Sequence, residues 1–517
     1  MSTSAADPVP SAPSARERWS PGVVDLLVVA LVLPFAWRPV TFTHDTWWHL
    51  RLGGRVLDEP VFPRHETFSW TADQAPILHN SWLSDVLFAA LERAGGLGLV
   101  EVLGLLLIAL MLRLSWALGR ALGGAPLACA LGLVGLALGA FPHLILRPHL
   151  FSLAGFAGLL LAYVRAREGE AGLRRLVLLY PPLSLLWANL HGGFLLGVAF
   201  LAGAGALELL EARWGPEAGR AGARRRAPTL LLLALGGLLL SAVHPFGFGQ
   251  VGFAIATMTD PAGAHVEEWL PTPLREARTF ELSLLLMVVL ALAQPRWPAP
   301  FELAALLGAA HLALLGWRHL PLFGIAGHSV LAAWATRALA AREQPLLARA
   351  PLAVGVTRRL NALLGWGERG PGGWWVLLAL GLALGGRRLA APRDPFQDEG
   401  LRRRYPVAAV EWLRGHPPPG RMWNSYPWGG YLGWALGAAH PVYIDSRCVS
   451  PFGYELLAEY LLVHEAHEGW EEPLERRGVG WVIVGRDAPL ARVLALHPGW
   501  TRAYQDEVAE VFVRRAP

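Results

Sequence analysis

The chain has 517 residues, 54% hydrophobic and only 16% charged, with a formal net charge of +5 and a mean hydropathy of +0.37. Soluble domains carry nearer a quarter charged residues, so this is the composition of a membrane protein. Every basic residue is Arg, and the arginines are spread over loops rather than gathered in a stripe, which argues against nucleic acid as a partner.

Residues 1–20 are small, polar and Pro-containing and read as a disordered cytoplasmic tail. The apolar run from Gly22 to Phe35 lacks a small-x-small cleavage site, so it reads as an uncleaved first span. A crossing helix needs about 20 mainly apolar residues. Candidate spans fall near 22–40, 97–116, 124–142, 148–165, 174–190, 192–211, 228–244, 279–295, 299–316, 320–338 and 373–390, a predicted mainly α polytopic bundle of about 11 spans over residues 21–392. Arg113, Arg120, Arg165, Arg167, Arg174, Arg175, Arg213, Arg220, Arg224–Arg226, Arg296 and the arginines from Arg337 to Arg369 lie in alternate loops. The positive-inside rule places those loops in the cytoplasm, with the N-terminus inside and residues 393–517 outside. The last span is short and is followed by Arg387, Arg388 and Arg393, against the rule. If it does not cross, the C-terminal region is cytoplasmic.

The first outer loop, 42–96, is long. Trp47, Trp48, Leu50 and Leu52 predict an interfacial helix with aromatics at headgroup level. Ser81–Leu91 predicts a second, with Trp82, Leu83 and Leu87 on its apolar face. Beyond about residue 393, strands are expected at 422–424, 442–444, 481–484 and twice within 500–514, alternating with helices near 406–415, 428–436, 452–466 and 488–496. That alternation predicts a small α/β domain. Cys129 and Cys448 are too far apart in this topology to pair, and no zinc or haem motif is present.

The unusual polar residues sit at the ends of apolar spans and, on this topology, all on the outer side. Polar groups at such depth are costly and tend to mark substrate sites. Asp45, with His49 as a catalytic partner and His44 as a substrate-binding neighbour, can act as general base toward an acceptor hydroxyl or ligate a divalent metal; the alternative is an ordinary helix-terminal acid in the headgroup region. Arg147, with His149 after it, is a candidate phosphate clamp or a snorkelling anchor, and Arg318-His319 reads the same way. Asn189 and His191 lie in a hairpin whose Gly192-Gly193 permit a tight reversal. Glu267-Glu268 offers a second acid, though adjacent glutamates are also ordinary in a solvated loop. In the C-terminal region Asn424, Tyr426, Asp445 and Arg447 follow predicted strands, where α/β ligand sites gather. The alternative for Asp445 and Arg447 is an internal ion pair.

Asp45-x-Trp-Trp-His-Leu-x-x-Gly53, Pro63-x-x-Glu66-x-Phe-Ser69, His79-x-x-Trp82-Leu83, Arg147-Pro148, Asn189-x-His191-Gly192, and Tyr426-x-x-Gly-Gly-Tyr-Leu432 with Asp445-x-Arg447 together resemble bacterial integral-membrane glycosyltransferases of the GT-C superfamily. The resemblance implies a multi-span protein of the bacterial cytoplasmic membrane that moves a sugar from a polyprenyl-phosphate or -diphosphate carrier to an extracytoplasmic acceptor. It also implies a catalytic acid early in the first outer loop, the place of Asp45. Many metal-dependent relatives carry a second acidic motif in the next outer loop. Here that loop, FPHLILRPH, has no carboxylate. This weakens the case for Mg²⁺ or Mn²⁺ and shifts the leaving-group charge toward Arg147, Arg318 and the histidines. An O-antigen-ligase-like transferase, a transporter or a non-enzymatic scaffold are the other readings. Apart from His311 and His328 the span centres are nearly free of charge, which disfavours transport.

Overall fold

The computed structural model describes residues 22–37, 43–59, 61–366, 399–447 and 450–515. Four helices, Leu97–Ala121, Pro126–His143, His149–Glu168 and Phe194–Trp214, are long and apolar enough to cross a membrane. Val23–Phe35 and Pro300–Leu315 are shorter apolar helices. Other expected spans are helical too, but Glu170–Leu190 carries Pro181 and Pro182, Glu217–Leu240 begins in an arginine-rich turn, and Arg278–Ala293 has 16 residues. The expected number of spans is therefore not reached on length and apolarity alone among the described residues. The eleventh candidate, 373–390, and the tail 1–20 lie outside them.

Leu320–Ala340 is the central helix, buried continuously from Leu320 to Trp334. It packs on Pro126–Ala140, where Gly135 makes room for His328: a Cβ there would sit 2.7 Å from the imidazole Nε2. That nitrogen is 3.0 Å from the Ser283 hydroxyl. His328 is thus a satisfied core residue. At the opposite end of the bundle from Asp45, arginines expected only as topological markers close on carboxylates. Arg226 pairs with buried Glu208 at 2.7 Å, Arg337 with Glu302 at 2.6 Å, and Arg113 with Asp25 at 3.2 Å. Removing one partner of such a pair strands a buried charge, so these contacts fix the helix ends. Leu138, Leu232 and Leu292 are exposed on outward helix faces, as lipid contact requires and water does not favour.

The C-terminal segment forms a four-stranded sheet of order β1-β2-β4-β3, with β1 (Arg421–Asn424) parallel to β2 (Val479–Gly485) and β3 (Trp500–Gln505) and β4 (Ala509–Arg514) antiparallel. Helices Val407–Gly415, Gly429–Leu436, Gly453–His464 and Pro489–Leu496 accompany it. The strand expected at 442–444 does not join this sheet. Val442 instead bridges Ser69 in the long first loop, donating its N–H to the Phe68 carbonyl at 2.8 Å and accepting from Trp70 N–H at 3.1 Å.

That docking corrects two expectations. The aromatics of helix His44–Asp58 do not face lipid headgroups: Trp47 is fully buried against Tyr405, Tyr431 and Trp434, with ring centroids 5.0–5.4 Å away. Helix Trp82–Gly95 buries Ser84, Asp85, Phe88 and Ala89 rather than the expected Trp82, Leu83 and Leu87. Asp85 holds two histidines on the inner side, and their polar contacts decide which face turns in.

Candidate functional site

Four charged side chains from four separate loops converge. Helix His44–Asp58 starts at Thr43, whose N–H is held by the Thr46 hydroxyl at 3.2 Å, while that hydroxyl donates to the Leu146 carbonyl at 3.1 Å. The first turn of the helix is thereby tied to the residue before Arg147. Asp45 then pairs directly with the Arg147 guanidinium. The other side of Arg147 binds Glu268, Nη1 to Oε2, at 2.7 Å. Glu268 lies in the 3-10 turn Glu267–Trp269, which the Trp317 N–H joins to the next loop by donating to Leu270 at 3.1 Å. This brings in Arg318, 3.9 Å from Glu268, with its guanidinium 4.7 Å over the Trp269 ring. Asp45 also accepts from the Ser446 hydroxyl at 2.5 Å and from Trp48 Nε1 at 3.2 Å.

The electrostatics follow from this packing. Burial works to raise the pKa of Asp45, but Arg147 and the Ser446 hydroxyl outweigh it and hold the carboxyl below its ordinary range. Burial opposes ionisation of Glu268 as well, yet Arg147 and Arg318 pull its pKa down to about 2. Burial lowers the pKa of Arg318, partly countered by Glu268. His191 and His319 are both held below the usual imidazole value, first by burial and then by neighbouring positive groups. They are neutral hydrogen-bonding groups at pH 7. A divalent cation would need Asp45 and Glu268 free to close on it, and Arg147 stands between them bound to both. Among the described residues no three His, Cys, Asp or Glu side chains converge for a metal. This donor set does not fit such an ion.

The other expected residues divide in two. His191 borders the cluster: its Nδ1 accepts from the Gly193 N–H at 3.0 Å beside the Ser152 hydroxyl at 2.7 Å, which leaves the neutral ring's proton on Nε2. His149 donates Nε2–H to the His143 carbonyl at 2.8 Å, and its buried Nδ1 makes no hydrogen bond. His319 donates Nδ1–H to Leu312 at 3.0 Å. His44 is exposed, edge-on to Tyr405. Glu267 is exposed to solvent, and its neighbour Glu268 faces the arginines.

Asn189 is consumed internally, accepting from Trp82 and donating to Leu185 and Val243 at 2.8–3.0 Å. Gly193 has φ −63, so the hairpin does not need glycine for its turn. A Cβ at Gly192 would lie 2.5 Å from Asn80, and one at Gly193 would strike Ser152. Asn424 pins β1 to the 443–444 segment, accepting from Tyr443 N–H at 2.8 Å and donating to the Ile444 carbonyl at 2.9 Å. The Tyr426 backbone N–H donates to Tyr460 at 3.0 Å. Asp445 and Arg447 form the internal ion pair at 2.6 Å, and Glu66 completes it at 2.5 Å from Arg447.

Sequence reasoning did not single out Ser446, Asp85 or His79, and it ranked Glu268 low. Glu66 and His79 were visible only as motif positions. Asp85 is fully buried, 2.6 Å from His49 Nδ1 and 2.5 Å from His79 Nε2. A carboxylate within an otherwise apolar helical run was the available signal.

The described residues form a helical bundle whose long, ordered first loop packs on a small C-terminal sheet, with polar residues gathered where they meet. No family model matches the sequence, and neither does any curated protein. Among solved structures, the archaeal oligosaccharyltransferase AglB from Archaeoglobus fulgidus, in complex with an inhibitory peptide and a dolichol-phosphate, is similar with a TM-score of 0.55. The match covers 90% of this chain and 68% of that one at 13% identity. The chain therefore shares its fold with that oligosaccharyltransferase structure.

Proposed function

We propose that the chain is a membrane glycosyltransferase of GT-C type, taking a sugar from a polyprenyl-phosphate or -diphosphate carrier and placing it on a hydroxyl of an extracytoplasmic acceptor such as a cell-envelope glycan, lipid or protein. The observation that carries this is Arg147, gripped by Asp45 and Glu268 with Arg318 beside it. Two neighbouring, partly buried guanidiniums can take up the negative charge that grows on a phosphate leaving group. His149, His191 and His319 add neutral partners for phosphate or sugar oxygens. The solved AglB structure holds a dolichol-phosphate and a peptide, which is consistent with a lipid-linked donor and a separate acceptor here. Asp45, charged and ion-paired, orients the acceptor better than it takes up a proton.

In proteoliposomes supplied with radiolabelled polyprenyl-phosphate sugars, wild-type protein transfers label. Asp45→Asn and Arg147→Ala each abolish transfer while inserting normally. Undiminished transfer by both variants overturns the site assignment. Loss with Arg147→Ala alone favours an O-antigen-ligase-like chemistry that does not need Asp45.

A further inference from the structure

Asp85 is a fully buried carboxylate outside the arginine cluster, and the mechanism above leaves it unused. It reaches helix His44–Asp58 because Gly53 has no side chain: a Cβ there would collide with the Asp85 backbone carbonyl. Its two oxygens meet His49 Nδ1 at 2.6 Å and His79 Nε2 at 2.5 Å, and the Ser81 hydroxyl donates to it at 3.4 Å. An ionised carboxylate only accepts hydrogen bonds, so His49 must carry its proton on Nδ1. Its Nε2 has no hydrogen-bond partner among the described residues. The ring is clamped, with Trp48 centred 3.6 Å away and Phe88 edge-on at 6.2 Å. His49 lies four residues after Asp45, so both project from one face of the helix.

We infer that Asp85 is a positioning residue that fixes the His49 tautomer and orientation, so that the bare His49 Nε2 takes the proton of the acceptor hydroxyl. This rests on the proposed transfer to a hydroxyl. The acceptor O–H bond breaks with its proton going to Nε2, and the oxygen forms the new bond to the sugar's anomeric carbon. The bond from that carbon to the carrier phosphate breaks, and its electron pair leaves on the phosphate oxygen beside Arg147 and Arg318. A buried acid that holds an imidazole this way sets which nitrogen is the base.

Two measurements test it. Full-length protein labelled with ¹⁵N-histidine, with the His49 signal assigned by its loss in His49→Gln, should show a protonated Nδ1 and a bare Nε2 at neutral pH. The opposite tautomer overturns the inference whether or not the protein turns over. In the reconstituted transfer assay Asp85→Asn should lower kcat by roughly 10²- to 10⁴-fold, the span of general-base contributions, with the donor KM unchanged. His79→Gln, which leaves the Asp85–His49 contact, should stay within a few-fold of wild type. Wild-type kcat in Asp85→Asn, or equal losses in both variants, reduces Asp85 to a helix fastener and overturns the inference. Absence of transfer by the wild type refutes the proposed function and leaves the tautomer result to decide on Asp85.

Discussion

Glu268 shows how a single carboxylate couples the site to stability. An unfolded glutamate takes up a proton near pH 4.3, whereas folded Glu268 keeps its charge down to about 2. The folded pKa is depressed, so the stabilisation is full above about pH 4.3 and drains away as pH falls from there to about 2. Its size is on the order of 3 kcal/mol, with the side chain 24% exposed. Glu268→Gln should therefore lower the unfolding temperature at pH 7 and flatten its dependence on pH between about 4.3 and 2. Exposed Glu267→Gln should leave both unchanged. Thermal unfolding in one detergent across that pH range checks this, and identical curves for the two variants remove Glu268 from the cluster. Which of two adjacent glutamates turns inward is set by the short 3-10 turn Glu267–Trp269, where neighbouring side chains lie about 120° apart. Sequence pattern cannot resolve that rotation. Asp45, Arg147 and Arg318 were readable because each is a charge beside a long apolar run. Ser446 was not, because a serine about 400 positions from its partner carries no local signal.

At the scale of elements, close approach matters more than capping. Helix Gly429–Leu436 lies on helix His44–Asp58 so closely that a Cβ on Gly430 would come 2.7 Å from the His44 carbonyl, and one on Gly429 would strike the Ile444 carbonyl. Both obstacles are backbone, so neither yields by a rotamer change. Gly430→Ala should cost about 1–3 kcal/mol through overpacking. It should also depress transfer, because the shift separates Ser446 from Asp45. Gly236→Ala, in helix Glu217–Leu240 with nothing within 4 Å of the added atom, should be neutral or stabilising by up to about 1 kcal/mol. Paired unfolding and kcat measurements check both, and a neutral Gly430→Ala refutes the close docking. The apolar helices and most C-terminal strands were legible because their hydrophobic runs are long or alternate cleanly. The 442–444 segment has the same strand-like composition, yet its partner is Ser69. The buried face of Trp82–Gly95 was misread for a related reason: where apolar residues lie on several sides of a helix, polar anchors such as Asp85 choose the inner one.

At the scale of the molecule, the contacts constrain which parts of the chain share a side. Asp45 in the first long loop touches Ser446, and Arg147 joins it to Glu268. His265 stacks on Tyr454 with ring centroids 5.5 Å apart. Loops near 45, 147, 265 and 450 are therefore at one end of the bundle. Helix Pro351–Leu364 is at the other: the Leu127 N–H donates to Asn361 at 2.8 Å and Val23 N–H to Trp366 at 3.3 Å, at the far end of Pro126–Ala140 from Arg147. In a bilayer, side-specific reporter fusions at residues 265 and 450 should then score alike, and fusions at 220 and 350 should score as the opposite side. The arginine-rich loops predict that 220 and 350 are cytoplasmic. If 350 and 450 report the same side, either the C-terminal segment is not docked on the first loop or the bundle does not span the membrane, and the composite site built from Asp45, Arg147, Glu268 and Ser446 falls with it.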